Sequence, residues 1–140
     1  ELVDAAELFL RCPLPAVGGV AALALSGGAR GYLHDLGEEL KIEYPEPSPE
    51  ATKQLEEFLG VGAGAGNPLD LGAAGASNPD TQLHCFELLA SQPAVGLVAV
   101  QGDLPHNPSF AGRAAGYQRM INRAKELKKV VVFFSRAQMR

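Results

Sequence analysis

Three short apolar runs constrain this chain more than any other feature: Val20–Leu25, Val95–Val100 and Val130–Phe134. None of them alternates apolar with polar residues, so none has a face made for water. A strand that is apolar on both faces belongs inside a covered, parallel sheet. The segments between them carry apolar residues at helical spacing. Leu33, Leu36 and Leu40 follow the first run. Ser48-Pro49-Glu50 reads as a helix start, with a serine cap, proline at the first helical position and acid in the first turn. Leu55, Phe58 and Leu59 form its stripe, and Gly60 ends it. Asn78-Pro79-Asp80 opens another helix with Leu83, Phe86 and Leu89 inward, stopped at Gln92-Pro93. Residues 110–127 read as a long helix with Ala114, Met120, Ile121, Ala124 and Leu127 inward. Ile42-Glu43-Tyr44-Pro45 is a fourth, weaker strand candidate, and Val61 to Gly75 reads as a glycine- and alanine-rich loop. Strands that alternate with helices give an α/β fold, a mainly parallel sheet with helices on both faces. With only three strong strands and one weak one, a further strand is expected beyond Arg140.

The chain has 140 residues, 46% of them hydrophobic, which suits one globular domain. No apolar run reaches the roughly 18–20 residues of a membrane helix, so no membrane partner is expected. Two cysteines cannot form a disulfide framework, which points to a reducing, cytoplasmic setting. The first residue is Glu1 rather than Met, and it stands within a helical pattern of Leu2, Ala5, Ala6, Phe9 and Leu10 that Pro13 and Pro15 stop. The expectation is a piece of a longer protein: residues 1–17 as a helical lead-in, residues 18–140 as the domain.

Net charge is −4, yet residues 113–140 hold eight of the twelve basic groups and one acid, Glu126. Such asymmetry suits either an anion-binding face or a solvated basic helix. Too few aromatics accompany these charges to stack bases, so nucleic acid is not an expected partner. The histidines are dispersed. His34 is next to Asp35, His84 next to Cys85, and His106 lies in a loop. Adjacent helical residues diverge, so neither pair builds a catalytic dyad or a zinc site. No metal site is expected, and Cys85 reads as a core residue.

In an open parallel sheet, ligands sit beyond the carboxyl ends of the strands, where the strand order reverses. In a flavodoxin-like order the strands 20–25 and 95–100 flank that point, which directs attention to the loops 26–31 and 101–109. Ser26-Gly27-Gly28-Ala29-Arg30-Gly31 has the parts for an oxyanion. Its glycines admit close approach, the first helical amides have no internal partner, and the helix dipole favours negative charge. Ser26 adds a hydroxyl and Arg30 a cation. It lacks the lysine of a phosphate-cradling P-loop and the third glycine of a dinucleotide fingerprint. A tight connection without a ligand fits the same residues.

These segments, in this order, resemble the C-terminal CoA-ligase domain of nucleoside-diphosphate-forming acyl-CoA synthetases and of the succinyl-CoA synthetase β-subunit. The resemblance is carried by Val20–Leu25, Ser26–Gly31, Gly66-Asn67-Pro68-Leu69-Asp70-Leu71-Gly72 and Ser91–Val100. It covers nearly the whole chain and implies a flavodoxin-like three-layer sandwich. It also implies an enzyme that forms acyl-CoA through a phosphorylated histidine. Ser26, Gly27, Gly28, Ala29, Arg30 and Gly31 would bind phosphate or the phosphohistidine. Asn67, Pro68 and Asp70, with Gln101, Gly102 and Asn107, would shape the crevice. A Gly-Gly pair of the family is replaced here by Gly102-Asp103, whose carboxylate would repel phosphate, so the first loop is favoured over the second. The complete enzyme uses CoA and ATP with Mg, held by a CoA-binding domain and an ATP-grasp domain, and the reacting histidine belongs to another domain. None of these fits in 140 residues, so no catalytic residue and no cofactor is assigned to this chain alone. The alternative is a non-catalytic, flavodoxin-like module that recognises an anion or a partner.

Overall fold

The computed structural model describes residues 2–12, 14, 15, 17–60, 64–102 and 111–135. Its elements run α1 Leu2–Arg11, β1 Gly19–Ala24, α2 Gly27–Leu40, α3 Pro49–Leu59, β2 Leu69–Asp70, α4 Gly72–Ser77, α5 Pro79–Ala90, β3 Val95–Gln101, α6 Ala111–Glu126 and β4 Val130–Phe134. The four strands make one sheet in the order β2-β1-β3-β4. Every pairing is parallel, with Leu23 beside Leu69, Val20 beside Leu97 and Leu97 beside Val130. The expected α/β fold is therefore present.

Local signals set the helix starts. Ser48 Oγ accepts from the Ala51 N–H at 3.2 Å, with Pro49 in the first turn. Asn78 Oδ1 accepts from the N–H groups of Asp80 and Thr81 at 2.9 and 3.2 Å. Side-chain parity divides β1 between two layers. Ala21 and Leu23 join the main core with Leu55 of α3, Phe86 and Leu89 of α5, and Met120 and Ala124 of α6. Ala22 and Ala24 are equally buried but lie outside that cluster, and α2 contacts β1 and β2. Small residues there let the α2 backbone come close.

Several expectations change. The fourth strand is Leu69–Asp70, inside the stretch read as a loop, and α4 follows it. Residues 42–45 form no strand; one bond, Val20 N–H to Glu43 O at 2.8 Å, ties them to β1. Proline denies that segment ladder donors, and Gly19 leaves the space it uses: a Cβ at Gly19 would lie 2.6 Å from the Glu43 oxygen. Val130–Phe134 is the outer strand of the sheet, and four of its five residues are only half-buried. Residues 26–31 form no separate turn, because Ser26 caps α2 and helix begins at Gly27. On α6 the inward face carries Gly116 and Tyr117, while Ala114 is exposed. Leu40 and Phe58, expected on inward stripes, are 62% and 50% exposed. Residues 103–110, with Asp103, His106 and Asn107, lie outside the described residues.

Candidate functional site

The carboxyl ends of β1 and β3 stand side by side at the centre of the sheet. From the end of β1 the chain enters α2 through Ser26, whose extended backbone (φ −164°, ψ 156°) is that of a helix cap. Ser26 Oγ accepts from the Ala29 N–H at 3.3 Å, and its carbonyl accepts from the Arg30 N–H at 3.0 Å. Gly27 and Gly28, the first two helical residues, have no intrahelical partner for their amides, and both are exposed. A Cβ at Gly28 would meet no heavy atom within 4 Å. The opening beside it is a pocket of about 430 Å³, bordered by Gly28, Ala29, Tyr32, Leu33, Gln101 and Phe134. The positive end of a 14-residue helix thus borders, through Gly28, an accessible, partly aromatic opening.

The six residues of the first loop do not act alike. Gly27 and Gly28 present donors. The Ser26 hydroxyl is used as a cap, and the Ala29 amide is the one it caps. Gly31 lies in the second turn, where its amide belongs to the helical ladder. The Arg30 guanidinium turns away from the opening: its Nε donates to Pro68 O at 2.9 Å. Its terminal nitrogens lie beside Gly64 and Gly66. The cation therefore fastens α2 to the 64–68 segment.

That segment is itself fastened by Asn67. Its Oδ1 accepts from the Ala22 N–H at 2.9 Å, and its Nδ2 donates to Val20 O at 2.8 Å and Pro45 O at 3.0 Å. The side chain is 2% exposed. It pairs with β1 as a strand backbone would, between the point where residue 43 leaves that edge and the point where β2 begins. The Asn67–Pro68 peptide bond is cis. At the end of β2, Asp70 Oδ1 accepts from the Gly72 N–H at 2.8 Å. Its other oxygen lies 3.3 Å from where a Cβ on Gly27 would stand. A carboxylate thus borders the free amides and opposes a second anion there.

Gln101 ends β3 as a buried residue whose Oε1 accepts from the Leu25 N–H at 2.9 Å. It splices the ends of β1 and β3 and also borders the opening. Gly102 donates to Phe134 O at 2.9 Å, continuing the β3–β4 ladder. Tyr32, Leu33 and Phe134 are site-bordering residues that sequence patterning did not single out. Spacing held a clue for two of them: Tyr32 and Leu33 lie four residues after Gly28 and Ala29, on the same helical face.

His34 and His84 make separate ring contacts. His34 meets the Tyr44 ring edge-on, with centroids 6.2 Å apart, and His84 packs on Phe58 at 4.4 Å. Tyr44 donates to Leu33 O at 3.1 Å, and burial raises its phenol above the ordinary value. Burial also pushes the Cys85 thiol up to about 11. Among the described residues no three His, Cys, Asp or Glu side chains form a metal-sized group. No helix among them is long and apolar enough to cross a membrane.

Solved structures place this fold among known proteins. PH0766 from Pyrococcus horikoshii OT3 superposes with a TM-score of 0.71 over 90% of this chain, at 22% identity. The dinucleotide-forming acetyl-coenzyme A synthetase 1 of Ca. Korarchaeum cryptofilum does so with a TM-score of 0.64 over 88%, also at 22% identity, both in complex with phosphate and ADP and in the apo form. The fold is shared with acyl-CoA synthetases. A trans-feruloyl-CoA synthase, FCS1, from an unknown prokaryotic organism is 29% identical over 102 residues, 70% of this chain. The resemblance read from the sequence is borne out by these matches. The chain spans 29% and 26% of the two structural relatives and 14% of the feruloyl-CoA synthase. No family model matches it.

Proposed function

We propose that residues 18–140 are a domain of an ADP-forming acyl-CoA ligase, and that the start of α2 binds phosphate or a phosphohistidine during acyl-CoA formation. The carrying observation is the pair of exposed Gly27 and Gly28 amides at the carboxyl end of β1, without intrahelical partners. A phosphoryl oxygen supplies the acceptors these donors lack, and the dipole of α2 stabilises its charge. Ser26 and Ala29 hold the turn in shape. Arg30, through Pro68, keeps α2 in register with β2. The chain binds and polarises; it does not complete the reaction. The reacting histidine, the CoA site and the ATP-grasp site with its Mg belong to other domains of the same chain or of a partner subunit, and residues 1–17 lead in from one of them. The enzyme works in the cytoplasm.

A second reading, a non-catalytic module that recognises a partner rather than an anion, is favoured by one observation: the Asp70 carboxylate already borders Gly27 and opposes an anion there. Phosphate titration followed by amide chemical shifts separates the two. The ligase reading expects selective, saturable shifts at Gly27 and Gly28. Gly28→Val puts a branched side chain into space that is empty in the free chain, so the fold survives and the shifts vanish. Unchanged phosphate affinity in Gly28→Val rejects the site.

A further inference from the structure

A second opening lies on the far side of α6, along the outer edge of β4. It measures about 520 Å³. Its floor is hydrocarbon: Ile121 and Ala124 from α6, Val130, Val131 and Phe133 from β4, with Leu14 at the mouth. The charged groups that line it are all cations, namely Arg11, Lys125, Lys128 and Lys129. Two of these are engaged. Lys129 Nζ donates to the carbonyls of Gln92 and Val95, and Arg11 lies 3.7 Å from Glu7. Lys125 and Lys128 are exposed and form no ion pair among the described residues. Leu14 is 82% exposed.

We propose that this groove is a binding site for a small amphiphilic carboxylate, a hydrocarbon or aryl body carrying one anionic group. The floor offers no polar side chain to a ligand, so the buried part of the ligand must be apolar. A volume of a few hundred Å³ with apolar walls and a few polar groups at one end is the usual form of a small-molecule site. The cationic lining, with Lys125 and Lys128 free of ion pairs among the described residues, favours a carboxylate and disfavours a cation of the same shape. The site is separate from the start of α2 and does not depend on the phosphate reading.

Cys12 also lines the groove and is partly exposed, whereas Cys85 is buried. Modification of Cys12 by a thiol reagent therefore reports occupancy. The probe is decanoate below its micelle concentration, with decyltrimethylammonium as the cationic counterpart. Decanoate should slow Cys12 modification saturably, and the cation should not. Lys125→Glu with Lys128→Glu, both at exposed positions, should weaken decanoate about tenfold. Leu14→Asp should weaken it as well, with the circular dichroism spectrum unchanged. Three results overturn the proposal: no saturable protection, equal protection by the cation, or protection that survives the double charge reversal.

Discussion

The two outer edges of the sheet are finished by different means. Beyond β1 the edge is closed by specific polar contacts. One backbone bond comes from Glu43, two side-chain bonds come from Asn67, which also holds Pro45, and two residues of strand complete it. Beyond β4 there is no further strand among the described residues. The groove beside that edge has an apolar floor and lysines at its rim. Polar closure is directional and fails when one partner is lost, because the remaining groups are buried and unpaired. Apolar closure is non-directional and tolerates change. The difference places the polar closure next to α2, which Arg30 ties to Pro68, whereas β4 reaches the opening beside α2 only at its end, through Phe134.

Replacing Asn67 by alanine should break this contrast most sharply. It leaves Ala22 N–H, Val20 O and Pro45 O without their partner. At about 1–3 kcal/mol for each buried unsatisfied group, the loss should be about 3 kcal/mol or more, read as a fall in the urea midpoint. The phosphate shifts at Gly27 and Gly28 should broaden as the Pro68–Arg30 contact loosens. A midpoint unchanged by Asn67→Ala would show that the edge does not need its side-chain splice.

A smaller effect concerns the core both edges enclose. The Cys85 thiol is raised from 9.0 to about 11 by burial. In the unfolded chain it ionises near its ordinary value, whereas in the fold it keeps its proton. Its contribution is therefore complete below about pH 9 and is lost as pH rises through about 11. The loss amounts to about 3 kcal/mol at most. Urea midpoints between these pH values should fall more steeply for the parent chain than for Cys85→Ala. Parallel slopes would show that Cys85 ionises as freely in the fold as out of it.

Ser26→Ala removes the cap of α2 and should cost about 1 kcal/mol, with phosphate binding weakened but present. Complete loss of binding would make the hydroxyl a ligand contact rather than a cap. The smallest change is expected at the tolerant edge. Val132→Thr on half-buried β4 should cost about 0.5–1 kcal/mol and leave both phosphate and decanoate binding intact. A loss as large as that of Asn67→Ala would erase the distinction between the two edges.

Local chemistry determined much of this protein. The apolar runs became β1, β3 and β4, the caps at Ser48 and Asn78 lie where their side-chain chemistry puts them, and Ser26-Gly27-Gly28 opens α2. Each of these signals works through neighbours a few residues apart, which a sequence displays directly. Tertiary structure alone decided the rest. Asn67 could be read as a turn opener, because its partners on β1 lie 45 and 47 residues away. Gln101 could be read as a loop residue, because the Leu25 amide it accepts from is 76 residues distant. Arg30 reads as a cation for an anion, because Pro68, whose carbonyl takes its Nε, is 38 residues away. The apolar runs said that strands would be buried but not in which order, so the outward position of β4 was invisible to them. A side chain's role follows from what the fold brings within hydrogen-bond reach, and that distance is set only when the sheet closes.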